Sequence, residues 1–129
     1  MSEASDYLEN QILNALFGGS TLGPVTPNLA LFTSDPGETG GGTEVTGANY
    51  SRKDVSSNFS SASGTDGTLS NDTEIVFPSA GDNWGTVSHV GIMDAAGNLL
   101  VYSSLNSAVN VESGDIFKIP AGSLSVTVS

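Results

Sequence analysis

Turn-forming clusters punctuate this chain at intervals of roughly 8–12 residues, and that spacing leaves room for strands and very little else. Ser34-Asp35-Pro36-Gly37, Gly40-Gly41-Gly42, Gly64-Thr65-Asp66-Gly67, Ala95-Ala96-Gly97-Asn98, Glu112-Ser113-Gly114-Asp115 and Pro120-Ala121-Gly122 are such clusters. Between them lie short apolar runs: Asn28–Thr33, Thr73–Phe77, Trp84–Asp94, Leu99–Ser103, Val109–Val111, Ile116–Ile119 and Leu124–Val128. Asn49–Ala62 alternates in part, with Val55, Ser57 and Phe59 sharing a face. Seven to nine short strands joined by tight turns fit an all-β, single-domain antiparallel β-sandwich, jelly-roll-like in its strand number. Within Trp84–Asp94, strict alternation puts Val87, His89, Gly91 and Met93 on one face and Ser88, Val90 and Ile92 on the other. The Ser/Gly/Thr-rich stretch Ser56–Asp72 reads as two edge strands around a turn, because Phe59 and Leu69 lie inside it.

One segment breaks the β pattern. Ser5 is placed to cap a helix, Asp6 and Glu9 put negative charge at its positive end, and Leu8, Ile12, Ala15 and Leu16 recur at helical spacing. Gly18-Gly19 stops it, since glycine enters the left-handed conformation without steric cost. A helix of about 12 residues is marginal alone. Its stripe must therefore dock, either on a sheet edge of its own chain or on a neighbouring subunit. The expected organisation is one domain over 1–129, with the short N-terminal α-helix and a connecting arm in 1–27 and the sandwich in 28–129.

Composition excludes several kinds of chemistry. The 129 residues include 3 Lys+Arg and 14 Asp+Glu, a net charge of −11. Neutralising phosphates needs clustered cations, so neither a nucleic-acid partner nor an anionic membrane surface is expected. With no cysteine, disulfides and thiolate chemistry are out of reach, and the single His89 rules out a two-histidine metal site within one chain. His89 itself reads as a hydrogen-bonded core residue. Most carboxylates fall in predicted turns, where Asp bonds the local backbone, and no spacing selects an acid–base pair. Gly40-Gly41-Gly42 lacks the Lys-Ser/Thr of a phosphate loop, and no run of oxygen ligands suits an EF-hand. No enzyme activity, cofactor or metal is expected. Met1 to Glu9 has neither the basic residues nor the apolar core of a secretory signal, and no apolar stretch approaches the ~20 residues of a membrane helix. The chain thus reads as soluble or as part of a soluble assembly.

Candidate functional residues are therefore interface residues. They are the helix stripe Leu8, Ile12 and Leu16, the following segment with Leu22, Pro24 and Val25, and Arg52. Arg52 is one of three cations; it pairs either with Asp54 or Glu44 in its own chain, or with a neighbouring copy to relieve acidic self-repulsion. Trp84, after Gly81-Asp82-Asn83, reads as a core or interface anchor.

The succession DYLENQILNALFGG, LALFTSDPGETGGGTEVTGANYSRKDV, VFPSAGDNWGTVSHVGIMDAAGNLLVYSSL and SGDIFKIPAGSLSVTV resembles a family of small structural proteins of tailed bacteriophages, commonly labelled tail fibre proteins. The most specific pieces are the LFTSDPGE turn, Tyr50 with Arg52, and the WGTVSHVGIMD hairpin running into LLVY. The resemblance implies a virion component and brings no catalytic residues with it. Fibres that reach for receptors are usually long, repetitive and stalked, whereas this chain is short and non-repetitive. The expectation is therefore a capsid decoration (cement) protein, a homotrimer bound to the major capsid protein on the outer head surface. The alternative is a tail fibre or collar-associated module, with glycan binding as an added role.

Overall fold

A computed structural model describes residues 3–19, 26–59 and 68–127. The central element is a five-stranded antiparallel sheet in the order β1-β7-β6-β2-β3, built from Glu3–Ala4 (β1), Leu99–Val111 (β7), Gly85–Met93 (β6), Asn28–Phe32 (β2) and Lys53–Asp54 (β3). Two antiparallel ribbons complete the strands. Thr68–Ser70 (β4) pairs with Ser125–Thr127 (β9), and Ile75–Val76 (β5) pairs with Lys118–Ile119 (β8). The helix α1 spans Asp6–Phe17. The expected all-β antiparallel domain with an N-terminal helix is what the chain forms. Among the described residues, the layer over the sheet consists of two ribbons, not a second continuous sheet.

Each face of the sheet carries its own apolar cluster, as alternation along β2 requires. Leu29 and Leu31 point to the main core, with Val90 and Ile92 of β6 and with Ile75, Ile119 and Leu124 from the ribbons. Ala30 and Phe32 point the other way, to a smaller cluster with Met93, Leu99 and Tyr102. The loop after β2 lies against this second face: its Gly40 comes within van der Waals reach of Leu99, and its Pro36 is fully buried. At one end of the main core stand four rings. Tyr50 stacks on Phe77 at 6.3 Å, while Trp84 meets Tyr50 at 5.4 Å and Phe117 meets Phe77 at 5.9 Å, both edge to face.

The alternation expected for β6 fails at one point. Val87 lies in the main core together with Val90 and Ile92, so it does not share a face with Met93. Pairing explains why. Val87 is opposite Val109 and His89 is opposite Ser104, so the single residue Ser88 faces four residues of β7, 105–108. This bulge shifts the phase of the side chains by one. It also makes Leu99–Ser103 and Val109–Val111 parts of one 13-residue strand. His89 is half-buried, with its Nδ1 2.8 Å from the Ser88 hydroxyl.

Other departures are local. Around Val55 the backbone turns, with Asn58 N–H donating to Val55 C=O, so the described part of Asn49–Ala62, residues 49–59, contributes one named strand, the two residues of β3. Leu69 lies in β4 as expected, Phe59 makes only an isolated bridge to Asn71, and the turn between them lies outside the described residues. Asn71 ties this region together. It is buried, donates to Thr73 C=O (2.9 Å) and Pro120 C=O (3.0 Å), and accepts from Leu124 N–H (2.9 Å).

Candidate interaction surfaces

The helix is held by its first turn. Ser5 is buried; its N–H donates to Leu100 C=O (2.8 Å), its hydroxyl donates to Leu99 C=O, and the same hydroxyl accepts from Leu8 N–H (3.2 Å). One residue thus caps α1 and fastens it to β7. From there the helix uses one stripe inward. Leu8 packs against the main core, and Ile12 and Ala15 are half-buried on the same side. Leu8 therefore packs within its own chain, the first of the two docking alternatives. Leu16 points elsewhere: with Leu13 and Phe17 it forms an outward face spanning roughly 100° of the helix, adjoining the Leu8 stripe on the Ile12 side. These three side chains are 54%, 68% and 82% exposed for Leu13, Leu16 and Phe17. Leu22, Pro24 and Val25 lie outside the described residues.

Beside Leu8 is an apolar groove of about 200 Å³, lined by Val55, Phe59, Leu69, Leu100 and Val126 among others. None of its described lining residues is charged. A second cleft, about 330 Å³, opens at the β7 bulge between Ser103, Ser104, Ser107, Ser123, Ser125 and Lys118. Among the described residues it offers hydroxyls and one ammonium, and no carboxylate.

Arg52 engages Glu44 within the chain. Its Nη2 and Nε donate to the two carboxylate oxygens at 2.8 and 3.0 Å, a bidentate pair. Tyr50 donates its hydroxyl proton to Glu44 Oε2 (2.6 Å) and accepts from Leu31 N–H (3.0 Å). Tyr50 and Arg52 are two residues apart and so reach the same carboxylate from one side. Burial pushes the Glu44 carboxyl up, but the bonds from Arg52 and Tyr50, helped by the guanidinium charge, outweigh it and hold the group below its ordinary value. Burial, and donation to that carboxylate, drive the Tyr50 phenol far above its usual range. Sequence reasoning named Glu44 as one of two partners for Arg52, and the resemblance singled out Tyr50 with Arg52; nothing in the sequence linked Tyr50 to Glu44.

The neighbouring loop is locked by Trp84. Its indole N–H donates to Ala48 C=O (2.9 Å), Asp82 accepts from Ala48 N–H (3.0 Å), and Gly81 N–H donates to Ala48 C=O (2.9 Å). A Cβ at Gly47 would collide with the Trp84 ring and the Asp82 carboxylate, so only glycine fits there. Trp84 is a core anchor. Asp6, Glu9 and Glu38 bring carboxylate oxygens within 4.8 Å of one another at the start of α1. The helix dipole favours negative charge at that end.

The chain as a whole matches one known family. The model described as podophage GP4 fiber I protein gp80 aligns with residues 3–127. The chain belongs to this fibre-protein family. No curated protein matches it. Membership in the gp80 family makes it a bacteriophage structural protein, and it favours the fibre alternative over capsid decoration as the place of such a protein on the virion. The match includes the helix, the Glu44–Tyr50–Arg52 cluster and the β6–β7 hairpin, the same regions that carry the sequence resemblance.

Proposed function

We propose that this protein is a fibre-type module of a podophage tail, acting by surface complementarity and without turnover chemistry. The observation that carries this reading is the fibre-family match across nearly the whole chain. The outward face of Leu13, Leu16 and Phe17 supports a molecule that works against neighbours, because large apolar side chains grouped in solvent mark contact sites. The copies associate with one another, as a homotrimer, and sit on other virion proteins through multiple modest contacts that add as avidity. A saccharide-binding role has less support, since among the described residues the cleft presents neither a carboxylate nor an exposed ring to a sugar.

Quantitative densitometry of purified virions tests the location. Tens of copies or fewer per particle, with antibody label at the tail, are expected. Hundreds of copies over the head would overturn the fibre assignment and restore the capsid decoration one.

A further inference from the structure

We propose that copies of this chain associate head to tail, the apolar tip of α1 in one copy entering the groove beside Leu8 in the next. The inference rests on the self-association reading above and names the two surfaces that meet. Tip and groove match in chemistry. Leu13, Leu16 and Phe17 form the tip, and Val55, Phe59, Leu69 and Val126 help line the groove. They match in size too: an apolar cavity of about 150 Å³ holds a benzene ring, and the groove's volume of about 200 Å³ takes one phenyl group with part of a leucine.

Charge leaves these two surfaces as ones that copies of this chain can bring together. Two chains of net charge −11 repel wherever their acidic surfaces meet, so contact between copies must use neutral surface. No charged residue occurs from Asn10 to Ser34, a stretch that includes the tip, and none lines the groove among the described residues. The groove cannot take the tip of its own chain. Leu8 is at the groove, and Phe17 lies nine residues along a rigid helix, about 14 Å away at 1.5 Å per residue. Tip and groove are different patches on one molecule. Their contact is heterologous and closes into a ring or, where the rotation does not close, continues as a filament.

The chain has no cysteine, so introduced cysteines report contacts without background. Phe17→Cys and Ser56→Cys are made as separate proteins, Ser56 being exposed at the groove. Expected is a covalent species containing one of each variant when the two are mixed and oxidised, identified by intact mass, with neither variant cross-linking efficiently alone. Phe17→Asp should weaken association measured by sedimentation about a hundredfold, with an unchanged circular dichroism spectrum and, at concentrations where the wild type is monomeric, a melting temperature within about 5 °C of it. Efficient cross-linking of Phe17→Cys with itself would place tip against tip; it would overturn this inference and leave self-association standing. A wild-type chain that stays monomeric at several hundred micromolar would overturn both.

Discussion

The region around Trp84 and the region around α1 treat apolar side chains in opposite ways. At Trp84 the rings of Tyr50, Phe77 and Phe117 are enclosed, and the polar atoms that accompany them are bonded: the indole to Ala48, the phenol to Glu44, the guanidinium to the same carboxylate. At α1 only Leu8 reaches the core, where an apolar groove stays open beside it, while Leu13, Leu16 and Phe17 face solvent farther along the helix. Both regions are rich in large apolar residues. What separates them is whether the chain's own partners suffice, and the difference divides residues that make the fold from residues left for a neighbour.

The sharpest way to break that division is to delete apolar bulk in the enclosed region. Phe77→Ala should cost about 3–5 kcal/mol of unfolding free energy by denaturant titration, because it empties the centre of the ring cluster. A loss under 1 kcal/mol would mean that the cluster is loosely packed. Asn71→Ala comes next, at about 3 kcal/mol. It strands the Leu124 N–H and removes the donor that serves Thr73 and Pro120. Hydrogen exchange should then show β4 and β9 opening ahead of the five-stranded sheet.

Much of the enclosed region was legible in the sequence. Turn clusters fixed the hairpin at 94–98, where Asp94 accepts from Ala96 and Asn98 and Gly97 takes φ +91°. Ser5, Asp6 and Glu9 marked the start of α1 at the residue where it begins. Three features were not legible. The β7 bulge takes up residues 105–108, Leu-Asn-Ser-Ala, whose mixed pattern says nothing about pairing. Strand β1 is two residues long, too short for any pattern, and gains its place only by pairing with β7. Asn71 sits in a stretch of small polar residues and stands out only through its distant partners at Pro120 and Leu124. The helix stripe was half legible: spacing grouped Leu16 with Leu8 and Ile12, but the docking direction, set by Ser5 on β7, turns Leu16 outward.

Glu44→Gln tests the polar side of the enclosed region at about 1–2 kcal/mol near neutral pH, since the amide keeps a bond to Tyr50 and loses the bidentate ion pair. Its pH dependence is diagnostic. The folded-state value of Glu44 lies below its ordinary 4.5, so the wild type's extra stability is fully present above about 4.5 and is lost as pH falls through the folded value. Acidification also relieves the repulsion of a chain of net charge −11, which favours the folded state. The difference between wild type and variant cancels that common term. The gap should therefore be constant from pH 8 to 5 and shrink below 4.5; a gap that stays constant to pH 3 would show that the carboxylate's charge is not what Arg52 and Tyr50 hold.

The smallest expected effect on stability closes the comparison. Leu31→Ala and Leu16→Ala remove the same atoms, one from a fully buried position in β2 and the other from a side chain 68% exposed on α1. The first should cost about 2–5 kcal/mol. The second should stay within about 0.5 kcal/mol, since it empties no cavity and alanine is an excellent helix former. Measured on the assembled protein the ranking narrows, because burial of Leu16 against a second copy adds a stability term that grows with protein concentration. A Leu16→Ala variant whose melting temperature trails the wild type only at high concentration would assign this leucine to assembly. Equal losses at every concentration would mean that the outer face of α1 packs within its own chain, and the contrast between the two regions would disappear.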